Sequence, residues 1–299
     1  MRHKWMVFLT MSFILVIIMA CSKQDDFPIL KVPYLGQKPP GMTPEIFAPG
    51  IISSSDFLEY CLTFSPDGKE IYFNRSGAGV FVCRLKDNGW SDPEKPEFAK
   101  RYKVGEAHIT PDGKRMLVNR YSGLNEGEQG GNWEFHRIKD DWGNPKFLIP
   151  FGMRATTTVD GTIYTTDTKG YKKENEDGGI IACFSVSRKG VQRNIDPGGG
   201  VNTESLDSHP FIDPKERYII FDSNRPGGMG KSDLYVCFKN SDGSWGDAIN
   251  MRELNSTEGD WCATVSPDGK YLFYTSNLDQ NIYWVDAKII EDMKPDEMK

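Results

Sequence analysis

Five times along this chain an apolar stretch runs into a tight Asp-containing turn and leaves it as a second apolar stretch. The copies read "FSPDGKEIYF" from Phe64, "ITPDGKRMLV" from Ile109, "TVDGTIYTT" from Thr158, "IDPKERYIIF" from Ile212 and "VSPDGKYLFY" from Val265. Marked by Asp67, Asp112, Asp160, Asp213 and Asp268, they stand 45, 48, 53 and 55 residues apart. One such turn predicts only a hairpin, in which Gly supplies a positive φ and Asp caps its own backbone. Five in phase predict a repeat architecture. The third copy lacks the Pro, and the fourth has Asp-Pro where the others have Asp-Gly.

Around each turn the chain reads as four short strands. An alternating second strand, as in Ile71-Tyr72-Phe73, follows the turn, and a variable loop leads to a third ("VFVCRL", "WEFHRI", "IIACFSV", "DLYVCF", "NIYWVD"). A Trp-containing turn ("DNGWSDP", "DDWGNP", "DGSWGDA") then opens a fourth. Four strands in ~40–50 residues is the size of a β-propeller blade, so the fold class expected is all-β. The last unit lacks a fourth strand, and "TPEIFAPGI" from Thr43 stands where one would lie. The N-terminal strand is therefore expected to close the ring and remove exposed sheet edges. Five blades follow, and a sixth would need a degenerate unit. The expected organisation is a leader over 1–21, a tether over 22–42, the propeller over 43–288 and a polar tail over 289–299.

At the N-terminus, Arg2, His3 and Lys4 precede the apolar run Trp5 to Ala20, which is short for a spanning helix of ~20 residues. A small Ala20 before Cys21 fits a processed secretory leader. The Ile18-Met19-Ala20-Cys21 ending resembles the bacterial lipoprotein box, which implies a lipid on Cys21 and an outer-membrane anchor, facing the periplasm or the cell surface. The acidic pair in the following "SKQDDF" resembles the surface-export signal of some Bacteroidetes lipoproteins. A formal net charge of -6 recommends no nucleic-acid partner, which normally needs a clustered basic face. Of six cysteines, five would remain beside the anchor, which argues against a full disulfide framework. Cys83, Cys183 and Cys237 share one repeat position in the third strand and read as small buried hydrophobes. No C-x-x-C pair suggests a metal site.

"SPDGKYLFYTSN" from Ser266 and "SNRPGGMGKSDLYV" from Ser223 resemble the WD-repeat-like propeller family of TolB and of many exported bacterial lipoproteins. The likeness covers essentially Thr43 to Lys288 and implies the fold far more than a function. "GKS" at Gly230-Lys231-Ser232 is not a phosphate loop, because position 225 is Arg and a strand, not a helix, follows. No nucleotide, metal or other cofactor is expected, and neither a G-x-S-x-G nor an H-E-x-x-H motif occurs.

In a propeller the first strand of each blade lines the central channel. Its polar residues here are Glu59, Glu106, His108, Arg154, Asp207, His209 and Asp260, expected to converge on one mouth as a ligand-binding set. His136, in a third strand, reads as structural. Trp133 and Trp261 could stack on sugars, whereas Trp284 suits a blade core. Three functions are compatible with this pattern. The leading one is a membrane-anchored, non-enzymatic module binding an envelope protein or glycan through rigidly presented loops such as "YSGLNEGEQGGN" and "DTKGYKKENEDGG". The alternative is a carbohydrate-active hydrolase or lyase using Glu59, Glu106, Asp207 and Asp260. The third is a structural accessory with one large apolar patch.

Overall fold

A computed structural model of the protein describes residues 34–87, 89–120, 129–169, 179–187, 189–194 and 196–298. The segment expected to be a leader, Cys21 and most of the two long loops lie outside the described residues. Five antiparallel sheets form a five-bladed β-propeller. Each blade begins with an inner strand: Glu59–Phe64, Gly105–Ile109, Gly152–Thr157, Asp207–Ile212 and Asp260–Val265. These five touch one another in sequence, and the last returns to the first, so they ring the central axis. Second strands (Glu70–Arg75, Arg115–Arg120, Ile163–Asp167, Tyr218–Ser223, Tyr271–Ser276) and third strands (Gly79–Lys86, Gly131–Ile138, Ile180–Ser187, Asp233–Phe238, Asn281–Asp286) lie progressively outward.

The outermost strand of the last blade is Glu45–Ile46, paired with Trp284 and Tyr283. Ring closure by the N-terminal segment thus holds. The packed body begins earlier than Thr43, however. Tyr34 is buried among Phe64, Tyr271, Phe273 and Trp284, and its hydroxyl donates to Asp268 at 2.8 Å. The Gln37 side chain brackets Ile46 and Ala48. At the other end, Lys288–Asp292 is a short helix whose Ile289 and Ile290 are buried against the last two blades, so this segment is more than a polar tail.

The repeat turn explains itself chemically. In the first blade the Ser65 hydroxyl donates to Asp67, and Asp67 and Ser65 in turn accept the backbone N–H groups of Lys69 and Glu70. Thr110 with Asp112, Thr158 with Asp160, and Ser266 with Asp268 repeat this arrangement. The fourth blade shifts the expected phase by two residues. Asp213 takes the place of Ser65 and accepts from Lys215 and Arg217, while Glu216 carries the positive φ that Gly supplies elsewhere.

The turn Trp residues cement neighbouring blades. Trp142 donates its indole N–H to Tyr72 of the preceding blade, and Trp245 packs edge-on against Tyr164. The Gly-Lys-Ser loop has a similar purpose. A Cβ on Gly230 would stand 2.0 Å from the Glu258 carbonyl oxygen, so only glycine lets this loop lie against the last blade. Asp233 caps the turn by accepting from the N–H groups of Met229 and Gly230.

Candidate functional site

Counting back from the turn Ser/Thr sorts the seven channel candidates into three repeat positions. Glu59, Asp207 and Asp260 open their inner strands, and each is fully buried. They share one task. Glu59 accepts from the N–H and hydroxyl of Ser54, Asp207 from the N–H and hydroxyl of Thr203, and Asp260 from the N–H of Ser256 at 2.5 Å. Each carboxylate ties down the loop that enters its blade, meeting backbone donors that burial would otherwise leave unpaired. Arg75 neutralises Glu59 and Arg225 neutralises Asp207. Burial pushes the carboxyls of Glu59 and Asp260 above the usual carboxylate range, opposed by the Ser54 hydrogen bonds on the first and by Ser276 and Ser256 on the second.

Glu106, Arg154 and His209 occupy a second position, four residues before the turn. There every inner strand slips register in a β-bulge, and the bulged residue is left-handed: Cys61 at φ 50, Glu106 at 53, Arg154 at 43, His209 at 45 and Cys262 at 53. Such conformations cost a non-glycine residue on the order of 1 kcal/mol or more each. The freed backbone N–H is taken by a buried polar side chain on the second strand of the preceding blade. Asn74 serves Glu106, Thr166 serves His209 and Asp222 serves Cys262. Arg154 instead donates its N–H to the carboxylate of Glu106 at 2.7 Å.

The five bulge residues form a ring of unlike chemistry. Cys61 and Cys262 are joined by a disulfide that bridges the first and last blades. His209 Nδ1 lies 3.0 Å from Asp222, which also accepts from Ser208, and the imidazole packs against Trp261 with ring centroids 5.1 Å apart. Burial works against charge on His209, but Asp222 and then Glu106 outweigh it and lift its pKa. Arg154 is fully buried and crosses from the third blade to donate Nη1 to the Ala107 carbonyl of the second at 3.3 Å. Burial lowers its pKa to about 10, with Glu106 and Asp222 holding it up, so it stays cationic at neutral pH.

His108 stands alone at the third position, two residues further toward the turns. Its Nε2 accepts the Thr157 N–H at 3.1 Å, and burial, with Arg154 and Arg115, lowers its pKa to about 3. Neutral, with Nε2 as acceptor, His108 carries its proton on Nδ1.

The expectation that all seven converge on one mouth is therefore corrected. The strand-opening acids lie at the loop end of the channel, the bulge ring in its middle and His108 toward the turn end, because an inner strand advances about 3.3 Å per residue. At the turn end the channel opens into a cavity of about 240 Å³. Its rim is built from the five turn positions Pro66, Pro111, Val159, Pro214 and Pro267, and its wall from Thr63, His108, Phe211 and Thr264. None of the three strand-opening carboxylates lines it. Trp284 lies in the core as expected, while Trp261 stacks on Tyr60, these being the residues that precede the two bridged cysteines. His136 is exposed beside Glu134.

Sequence reasoning missed Cys61 with Cys262, and Asp222. The signal existed, since both cysteines stand four residues before a turn Ser, and "NR", "NR", "TD", "DS" and "TS" all put a polar residue at the end of an apolar second strand. Among the described residues, no cluster of three or more His, Cys, Asp or Glu side chains could hold a metal ion.

No protein-family profile matches the sequence, and no curated protein does. Solved structures do. A glycoside hydrolase aligns at a TM-score of 0.53 with 12% identity, over 82% of this chain and 90% of the other. A thermostable family-43 glycoside hydrolase aligns at 0.51 with 13% identity, over 80% and 91%. TolB from Acinetobacter baumannii aligns at 0.47 with 14% identity, over 76% of this chain, which spans only 54% of TolB. At these identities the likeness is one of fold.

Proposed function

We propose that this protein is a non-enzymatic, TolB-like binding propeller of the bacterial cell envelope, anchored through a lipid on Cys21, that engages an envelope protein or glycan with its loop face. The observation that carries this reading is the employment of its acids. Glu59, Asp207 and Asp260 are fully buried and committed to holding loops, whereas a glycosidase needs two carboxyls facing each other across a pocket at ~5–10 Å. A rigid ring bridged by a disulfide is well suited to presenting loops for recognition.

The test is affinity purification of the full lipidated chain from detergent-solubilised envelopes, intact and with residues 121–128 or 170–178 deleted. A partner retained by the intact chain should be lost with one deletion, and equal recovery from all three would refute the reading. A second reading, a hydrolase or lyase, draws support from the raised proton affinity of Glu59 and Asp260, a trait of general acids. Cleavage of any glycan in a panel by the intact protein, abolished in Glu59→Gln or Asp260→Asn, would favour that reading instead.

A further inference from the structure

Where the first and last blades meet, the loop face carries an open groove of about 530 Å³, within the roughly 300–1,000 Å³ of small-molecule sites. Ser55, Asp56, Phe57 and Ser76 of the first blade line it together with Asn277 and Gln280 of the last. Apart from Leu58, the lining offers hydroxyls, amides, one carboxylate and the ring of Phe57, which is 37% exposed. None of the described residues that line it is cationic.

The protein holds this lining in place by itself. The Ser76 N–H donates to the Leu58 carbonyl at 3.0 Å, and the Glu59 N–H to the Gln280 carbonyl at 3.4 Å, which links the two blades across the groove. Asn277 donates its backbone N–H to Gly259 at 2.8 Å, and its side-chain oxygen accepts from Trp261 Nε1 at 3.0 Å. A Cβ on Gly259 would stand 2.9 Å from Asn277 Nδ2, so glycine at 259 makes room for this amide. The bond to Trp261 occupies the amide oxygen and leaves the NH₂ group to donate. Gln280 sits at φ 64, a conformation that glycine adopts freely and glutamine does not. A chain needing only a turn there would do better with glycine. Glutamine adds an exposed side chain with both a donor and an acceptor.

We propose that this groove binds a neutral oligosaccharide. The C–H face of one sugar ring lies on Phe57, whose π-face is electron-rich, and the ring hydroxyls accept from the amides of Asn277 and Gln280 and donate to Asp56. Hydroxyls that both donate and accept suit a lining of mixed amides and carboxylate. A phosphate or an acidic peptide would meet Asp56 with no cation in the lining to offset it. An apolar peptide anchor needs a desolvated apolar pocket, and here only Phe57 and Leu58 are apolar. The inference rests on the loop face being the recognition face, as proposed above, and narrows what that face takes to a glycan.

The probes are cellotetraose, the N-acetylglucosamine tetramer and mannotetraose, titrated calorimetrically into the full chain in detergent. Tetragalacturonate is the anionic control, and a blocked tyrosine-containing tetrapeptide is the peptide control. At least one neutral tetramer should bind with a Kd of about 1 mM or below, and about 10-fold more tightly than either control. Phe57→Ala and Asn277→Ala should each weaken that binding about 10-fold. Both side chains are exposed, so the variants should fold. Gln280→Gly separates binding from structure: it relieves the backbone at φ 64, so it should melt no lower than the wild type, yet bind about 3-fold more weakly. Saturable binding of none of the neutral tetramers, tighter binding of either control, or undiminished binding in any of the three folded variants overturns the proposal. The groove includes neither 121–128 nor 170–178, so the two tests fail separately. Saccharide binding with equal partner recovery from both deletions refutes only the loops, and partner loss without saccharide binding refutes only the groove.

Discussion

Removing the bridge between Cys61 and Cys262 should cost this propeller more stability than any other two-atom change. The two cysteines are 201 residues apart in sequence, so their bond closes most of the folded chain into one loop. In the chain-entropy treatment such a crosslink withholds about 2.1 + 1.5R ln n cal/mol/K from the unfolded chain, which for this loop comes to about 5 kcal/mol at 25 °C. The competing seam is slight by comparison. Glu45 and Ile46 pair with Trp284 and Tyr283, and Phe47 adds one backbone bond to Ile282 at 2.8 Å. Those contacts, with the cluster around Phe47, Phe273 and Trp284, hold the folded ring but do nothing to restrict the unfolded chain. With a domain of this size moving about 2–4 °C per kcal/mol, the double variant Cys61→Ala/Cys262→Ala should melt about 10–20 °C below the wild type. Thermal and urea unfolding followed by tryptophan fluorescence and far-UV circular dichroism measure this. Reductant should lower the wild type toward the variant and leave the variant unmoved. A shift under about 3 °C would show that the strand seam alone sets ring stability and that the entropy argument fails here.

Two further outcomes follow from buried charge. Arg225 spends Nε on Ser223, Nη1 on Gly200 and Nη2 on Val201 and Asp207, while its plane lies over Phe221 and Tyr235. Arg225→Met should cost about 3–5 kcal/mol by stranding the Asp207 charge, and Arg225→Lys should recover little, since one ammonium cannot reproduce the fork; urea midpoints decide. His108 has its pKa lowered from 6.5 to about 3, so the unfolded chain takes up a proton that the folded chain refuses. Its contribution is complete above pH 6.5 and drains as pH falls toward 3, by up to about 1.4 kcal/mol per pH unit. His209, whose pKa is raised, has the opposite sign and loses its contribution as pH rises through its folded pKa. Replacing His108 with Phe should therefore flatten the acid limb of stability between pH 4 and 6.5, and an unchanged limb would mean that the imidazole is not held neutral.

Much of the fold was legible because a propeller writes its period into local chemistry. The Asp-Gly turns, the alternating second strands and the missing outer strand of the last unit are local signals, and each corresponds to a described element. What failed was the step from sequence position to depth along the channel. Glu59, Glu106 and His108 lie close enough in their repeats to look like one polar mouth. The bulge at the fourth residue before each turn separates them, and bulges leave no composition signature when the bulged residue is Cys, Glu, Arg or His instead of Gly. The phase error in the fourth blade has a similar cause. Asp213 mimics a turn Asp in "IDPK", yet its carboxylate does the work of the Ser65 hydroxyl, accepting backbone N–H groups from two and four residues on. The disulfide was hidden by counting cysteines along the chain instead of by repeat position.

The bulge ring is where this chain departs from its own symmetry. Elsewhere the repeats converge: turn prolines on the rim, tryptophans between blades, Asn, Thr or Asp on the second strands. At the five bulges the residues are Cys, Glu, Arg, His and Cys, each in a backbone conformation that disfavours all of them. A fold needing only a plugged channel could fill these positions with small apolar groups and avoid burying charge, which apolar packing often betters in stability. Two of the five are used for the disulfide. Glu106 and His209 are matched by Arg154 and Asp222, but the matching is incomplete, because the Nε/Nη2 edge of Arg154 remains without an acceptor in the protein. Structural need accounts for the cysteines and for the His209–Asp222 pair. It does not account for a fully buried arginine whose Nε and Nη2 have no acceptor in the protein.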